Sequence, residues 1–220
     1  MSTIDQPAAT GEVAPRQLGI GMRFSIHPHC DDFVDVILGA LGDVERAGLT
    51  AGLDVVTDDV STYVTARDAP AEQQLARYLA GVIAAASRRS GGGHVVAHAM
   101  FSRGCPGEVS CDLAVTGLPG ATPVDLPATG VPAAAHWSLY PLLDSGSDHG
   151  DHLPIIEAAI ARAKERGTVA STHYATRLSG DVADVLATAV DAWAEVGARV
   201  PHVVTHLTVS VGSPTTVPQP

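Results

Sequence analysis

The chain has 220 residues, enough for one large domain or for two domains of roughly 100 residues each. It carries 24 acidic and 13 basic residues, and the net charge of −11 argues against nucleic-acid binding, which draws on clustered Lys and Arg. The hydrophobic fraction of 45% and the charged fraction of 17% argue against wholesale disorder.

Neither a secretory signal nor a membrane span is predicted. The first 16 residues lack a basic start followed by an apolar core, and every apolar stretch is interrupted well short of a membrane span. Cys30, Cys105 and Cys111 are an odd number at irregular spacing, which predicts reduced thiols instead of a disulfide framework. We therefore expect a cytoplasmic protein that does not insert into a membrane.

Hydrophobic periodicity predicts six elements in the first half of the chain. Pro28 ends the first strand, Asp31 and Asp32 offer N-capping oxygens to the helix that follows, and Gly48 ends that helix. The predicted elements are a strand at 19–27, a helix at about 33–47, strands at 53–57 and 60–66, a helix at about 70–87 and a strand at 94–102.

The second half is predicted to repeat this order. Its elements are a strand at 135–140, a helix at about 150–166, strands at 168–172 and 174–179, a helix at about 181–196 and a strand at 202–211. Each half is then β-α-β-β-α-β, so we predict an α+β fold of tandem ferredoxin-like (ACT-like) repeats. The predicted boundaries are a flexible N-terminus at 1–16, repeat 1 at 17–104, a Pro- and Gly-rich linker at 105–133, repeat 2 at 134–213 and a flexible tail at 214–220.

Two short sequence matches support an internal duplication. The segment from Phe24 to Pro28 matches the segment from Trp137 to Pro141 at a displacement of 113 positions. The pattern His-Val-Val-x-His occurs at 94–98 and again at 202–206, displaced by 108 positions. Two matches in the same order at nearly equal displacements indicate that one unit has been repeated.

One face of each predicted sheet has no helical cover and is the candidate ligand surface. Alternation assigns Phe24 and Ile26 to the helix-covered side. The open side mixes small, polar and adaptable side chains, which suits a pocket for a polar aromatic ligand, although a partner sheet or water could cover it instead. The candidate ligand contacts on this side are Ser25, His27, Met100, Ser102, Ser138, Tyr140, Thr208 and Ser210.

A catalytic function is not predicted, because the chain has no Gly-x-Ser-x-Gly elbow, no P-loop and no Gly-rich dinucleotide fingerprint. The main alternative is a metal-binding protein or metal-dependent enzyme that uses His27, His29 and Cys30. A second imidazole cluster, His149 and His152, flanks Asp151. Zinc needs three or four converging ligands, and the usual spacings are absent, so no metal ligands are assigned.

Several motifs resemble the YkoF-type family that binds thiamin or hydroxymethylpyrimidine (HMP). In the first half these are Arg23 to Pro28 followed by Asp31-Asp32-Phe33, then Val60-Ser61-Thr62, then residues 101–107. In the second half they are Ser138 to Pro141, His173 to Thr176 and Ser179 to Val185. The resemblance covers about residues 20–214, nearly the whole chain.

This resemblance implies a cytoplasmic homodimer of tandem ferredoxin-like repeats that binds thiamin or HMP and acts with a transporter in uptake or salvage of the precursor. It implies no cofactor besides that ligand. Each repeat offers one site, with Thr62 and Thr176 as the preferred polar contacts. An ACT-like sensor of another small molecule, bound between chains, remains an alternative.

The resemblance also predicts that the two sites differ. His27 stands where the family's first motif usually carries Tyr, and the second repeat has an insertion at 144–150. Asp31, Asp32 and Asp59 are the carboxylates that would favour the thiazolium cation of thiamin in the first site.

Overall fold

Hydrophobic side chains alternate along the strands and recur every three or four residues along the helices, and this pattern produces the elements where they are predicted. The computed structural model describes residues 14–104, 118, 120–142, 153–166 and 168–215. After a short 3-10 helix at Pro15–Leu18, the first half contains β1 (Gly21–Pro28), α1 (Phe33–Arg46), β2 (Leu53–Thr57), β3 (Thr62–Ala66), α2 (Ala71–Arg89) and β4 (Val95–Arg103). The second half contains β5 (Pro132–Leu142), α3 (Leu153–Arg166), β6 (Thr168–Thr172), β7 (Ala175–Asp181), α4 (Val182–Gly197) and β8 (His202–Val211).

All eight of these strands form one antiparallel sheet in the order β2-β3-β1-β4-β8-β5-β7-β6. The two halves meet where β4 pairs with β8, from Val95 opposite Val211 to Arg103 opposite Val203. The predicted mixed α/β architecture is confirmed, and the strand order in each half is consistent with a ferredoxin-like unit. That the halves are tandem copies of one unit remains a prediction.

The core lies between this sheet and the four helices. The side of β1 that was predicted to be helix-covered is buried, with Phe24 3% and Ile26 6% exposed. The helix α2 packs against α1 and α4, and α4 packs against α3, so the helical layer also continues across the junction of the halves. Trp193 on α4 is fully buried and lies 5.6 Å from the Phe101 ring on β4, which joins the two halves through their cores.

Helix capping differs between α1 and α4. The predicted capping of α1 is wrong, because Asp32 occupies the N-cap position without forming a side-chain capping bond. The cap residue of α4 is Asp181, whose carboxylate accepts from the backbone N–H groups of Ala183, Thr129 and Gly130. Partial burial opposes ionisation of Asp181, but these hydrogen bonds outweigh it and lower the pKa of the carboxyl group.

The predicted linker lies partly outside the described residues, as do Cys105, Cys111 and most of the predicted flexible ends. Its described end packs on the helical layer: Val124 is buried, and its N–H donates to Asp191 on α4 at 2.8 Å. The strand β5 begins at Pro132, two residues before the predicted start of the second repeat.

The turn between β2 and β3 is held against β1 by one carboxylate. Asp58 accepts hydrogen bonds from the N–H groups of Ser61 at 2.8 Å and Val60 at 2.9 Å. Arg23 of β1 donates to the same carboxylate at 2.9 Å and to the Ser61 hydroxyl at 2.8 Å. The bonds from Ser61 and Val60, followed by that from Arg23, lower the pKa of Asp58 to about 2.

A buried ion pair fixes the end of β4 to the helical layer. Arg103 is 2% exposed, and its Nη1 donates to Glu72 of α2 at 2.7 Å and to the Ala194 carbonyl of α4 at 3.2 Å. A side chain at Gly197 would collide with Arg103, so the close approach of α4 to β4 requires glycine there. The guanidinium thereby connects elements from both halves.

Replacing Glu72 tests this connection. Glu72→Gln removes the negative charge that faces the buried Arg103 guanidinium, so the free energy of unfolding should fall by about 3 kcal/mol. Glu157→Gln, at an exposed site on α3, is the matched control and should change it by less than about 0.5 kcal/mol. Urea unfolding of both variants measures the difference, and equal stabilities would contradict the assigned importance of the pair.

The Asp58 turn gives a second prediction. In Arg23→Met the pKa of Asp58 should rise only part of the way from about 2 towards the ordinary 3.8, because the backbone donors of Ser61 and Val60 remain. Since the folded-state pKa is depressed, ionised Asp58 stabilises the fold above about pH 4, and this contribution is lost as the pH falls towards 2.

Carboxyl-detected NMR titration measures this pKa directly. Arg46→Met removes a different exposed arginine of the first half and should leave the Asp58 titration unchanged. Full return of the Asp58 pKa to 3.8 in Arg23→Met would show that the backbone bonds contribute little.

Candidate functional site

Each half of the sheet has a gap where its first strand, β1 or β5, extends beyond the neighbouring β3 or β7. Along β1, pairing with β4 runs from Gly21 to Pro28, but pairing with β3 ends at Phe24 opposite Thr62. Along β5, pairing with β7 ends at Trp137 opposite Thr176, whereas pairing with β8 continues to Leu142. On the unpaired side, alternate residues direct their backbone N–H and C=O groups into the gap, where a ligand can bond to them.

The first pocket fills the gap beside β1, with a volume of about 520 Å³. Thr62 lies on the helix-covered face at its floor, 5% exposed, with its hydroxyl 3.0 Å from that of Thr57. The helix α1 contributes an apolar wall from Phe33, Ile37 and Leu41. The ring of Phe33 is 49% exposed, so an aromatic surface is available to a ligand.

The rim of the first pocket is acidic. Asp58 and Asp59 lie in the turn that closes the pocket on the β2–β3 side. Asp58 is committed to Arg23 and to the turn, whereas Asp59 forms no hydrogen bond or ion pair with the residues that the structure describes. Asp59 is therefore the carboxylate of this rim that remains available to a cation.

The second pocket occupies the corresponding gap beside β5, with a volume of about 360 Å³. Thr176 takes the place that Thr62 has in the first pocket, and its hydroxyl has no hydrogen-bond partner within the described part of the chain. Ile156 and Ile160 of α3 form the apolar wall, and Tyr140 lies on the strand side. The lining that the structure describes here carries no carboxylate.

Tyr174 lies at the mouth of the second pocket in an unusual backbone conformation. Its φ of 62° is in the left-handed region, which is uncommon for a residue other than glycine. Its side chain is fully exposed in the turn between β6 and β7. Holding an aromatic residue in this conformation costs about 1 kcal/mol or more and places its ring where a ligand would enter.

The pockets gather seven of the twelve predicted ligand contacts. Ser25, His27, Asp59 and Thr62 line the first pocket, and Ser138, Tyr140 and Thr176 line the second. The remaining five line neither pocket. Asp31 is exposed before α1, and the others lie along the central strands on the face without helices: Met100, Ser102, Thr208 and Ser210.

Helical periodicity predicts Phe33, Ile37 and Leu41 on one face of α1, and the structure places this face against the first pocket. The signal that could have identified Phe33 was its position: it is an aromatic residue in the first turn of a helix and follows the short loop after β1. No comparable signal marked Ile156.

Imidazoles cluster on the open face of the central strands. The ring centroids of His27 and His98 are 5.5 Å apart, and those of His98 and His206 are 6.3 Å apart. Burial lowers the pKa of His27, and the neighbouring His98 and His29 lower it further. This environment favours neutral His27, whose Nε2 lies 3.0 Å from the Ser25 hydroxyl.

The metal alternative finds no support in the described part of the chain. No three or more His, Cys, Asp or Glu side chains there, including His27, His29 and Cys30, are grouped so that they could hold a metal ion. His149, Asp151 and His152 lie outside the described residues. Among the described helices, none combines the length and apolarity needed to cross a membrane.

Comparison with known proteins agrees with these features. A family model described as "YKOF-related Family" matches residues 132–216. A relative from Bacillus subtilis (strain 168), named "Putative HMP/thiamine-binding protein YkoF", is 32% identical over 197 residues, which cover 88% of this chain and 90% of the relative. At this identity and coverage, the chain belongs to the YkoF-related family.

Proposed function

We propose that this protein binds thiamin or its HMP moiety without catalysing a reaction, with one ligand in each pocket. The observation that carries the proposal is the matched pair of gaps, each with a threonine at the equivalent strand position, Thr62 opposite Phe24 and Thr176 opposite Trp137. The name of the 32% identical relative, an HMP/thiamine-binding protein, supports the ligand class. Both pocket volumes lie in the range of small-molecule sites.

The chemistry of an aminopyrimidine suits these pockets. Its ring nitrogens accept hydrogen bonds and its amino group donates them, so it can use a threonine hydroxyl together with the free N–H and C=O groups of the strand edge. In the first pocket its ring would stack against Phe33, while Ile37 and Leu41 exclude water from one side. In the second pocket Tyr140 and Tyr174 offer the aromatic contact.

The two sites are proposed to differ in their preference for charge. Asp59 at the first rim would favour the thiazolium cation of intact thiamin. The second pocket is smaller, about 360 Å³ against about 520 Å³, and Tyr174 crowds its mouth. We therefore expect thiamin to prefer the first site and HMP to discriminate less between the two.

Several wider statements belong to the same proposal. They are the tandem origin of the two halves with the boundaries predicted above, a homodimeric state, a cytoplasmic location and action with a transporter in uptake or salvage of the thiamin precursor. The equal strand order of the halves supports the first of these. The others rest on the family resemblance.

Threonine substitutions test the two-site proposal. Thr62→Val and Thr176→Val each remove one hydroxyl while keeping the side-chain shape, so each should weaken one site about tenfold. Isothermal titration with HMP should report two sites in the unmodified protein and one undisturbed site in each variant. Thiamin should lose its tighter site in Thr62→Val.

Thr188→Val is the matched control, because Thr188 is a buried threonine of α4 that lines neither pocket. It should keep both sites. Absence of heat with both ligands at millimolar concentration would overturn the proposal, and equal binding by all three variants would move the sites away from the two threonines.

A further inference from the structure

A third groove, of about 510 Å³, lies over β7, β5 and β8 on the face of the sheet without helices. Arg177 lines it, and the adjacent Thr176 lines the second pocket on the other side of the sheet. Arg177 and Thr176 point to opposite faces of the sheet, and the groove and the second pocket share no lining residue. The groove is therefore separate from the proposed pyrimidine sites.

Arg177 is a partly buried cation without a countercharge. Of the described arginines, three are at least partly buried. Arg103 pairs with Glu72 and Arg162 pairs with Glu195, but Arg177 forms no ion pair or hydrogen bond with any described residue. Arg177 thus has no acidic partner among the described residues, although the chain carries 24 acidic residues against 13 basic ones. A partly buried guanidinium without a countercharge is a site that an anion can occupy.

The equivalent cross-strand pair in the first half shows the contrast, although its arginine lies on the first strand of the half instead of the third. There Arg23 and Tyr63 face each other across β1 and β3, as His136 and Arg177 do across β5 and β7. Arg23 is neutralised by Asp58 at 2.9 Å. The turn between β6 and β7 supplies no such carboxylate, since its two central residues are His173 and Tyr174. The same fold therefore leaves one arginine satisfied and the other open.

Further hydrogen-bond donors surround Arg177. His136 lies directly opposite it on β5, and Thr208 lies opposite His136 on β8, so the three side chains form one row across the groove. The Thr208 hydroxyl lies 3.1 Å from His98 Nδ1 and can accept from that ring while it donates to a ligand. The Ser213 hydroxyl accepts from the N–H of Thr215 at 3.2 Å, which leaves its own proton free to donate. No Asp or Glu is among the described residues that line the groove.

We propose that this groove binds the phosphoryl group of a small phosphate ester or inorganic phosphate. A guanidinium bonds two oxygens of such a group at once, and the His136 imidazole N–H and the Thr208 and Ser213 hydroxyls can donate to the remaining oxygens. A phosphoryl group has more acceptor oxygens than a carboxylate and can therefore use more of these donors. Thr208 and Ser213 then serve this site and not a pyrimidine.

The test uses the full-length protein and inorganic phosphate as the probe, followed by amide NMR and calorimetry. Saturable shifts are expected at Arg177, His136 and Ser213, and added salt should weaken binding. Arg177→Gln should weaken binding about tenfold or more, and Arg177→Lys, which keeps the charge but not the two-pronged geometry, should weaken it less. Arg67→Gln, at an exposed arginine paired with Asp54, is the matched control and should bind normally.

Two comparisons sharpen the result. Glycerol phosphate binding more tightly than inorganic phosphate identifies an ester as the occupant, and the reverse order identifies the free ion; both support the site. Acetate binding as tightly as phosphate, no saturable shifts in a titration into the millimolar range, or equal binding by folded Arg177→Gln would overturn it. Thr176→Val should leave phosphate binding intact, so this proposal and the pyrimidine proposal fail independently.

Discussion

The antiparallel ladder between β4 and β8 joins the last strand of each half along its full length, from Val95 opposite Val211 to Arg103 opposite Val203. Pairing these two edges buries hydrogen-bonding groups that would otherwise template association with other chains. It also places all four helices in one layer, because α2 and α4 meet above the ladder. The pockets then lie on either side of this junction, and the opposite face of the sheet becomes one continuous surface.

The arginines around this sheet have different roles, which depend on how deeply they are buried. At the junction, the deeply buried Arg103 bonds to Glu72 and to a carbonyl of α4, which offset part of the cost of burying its charge and link the halves. Nearer the surface, Arg23 organises the β2–β3 turn through Asp58. Arg177, at the corresponding level of the second half, has no such partner in the described structure. The same fold thus contains arginines that stabilise the structure and one that can bind an anion.

In the two pockets, the backbone determines the position and the side chains determine the ligand preference. Their position follows from strand lengths, since β1 and β5 each extend past the neighbouring strand and leave an unpaired edge. Their ligand preference follows from a few side chains around that edge. These are the exposed Phe33 and Asp59 in the first pocket, and Tyr140 and Tyr174 in the second. A shared framework with different rims is a simple route to two related sites with unequal selectivity.

The sequence by itself determined the elements, because periodicity and the residues that stop strands and helices are local properties; β2, β6 and β8 match their predicted bounds. It also singled out Thr62 and Thr176 through the family resemblance. Only the tertiary structure decided that β4 pairs with β8, and that these threonines share pockets with Phe33 and Tyr174. Strand pairing and the gap at the end of β1 depend on contacts between residues far apart in the chain, which local patterns do not record. For the same reason, only the structure shows that Arg177 has no acidic partner among the described residues.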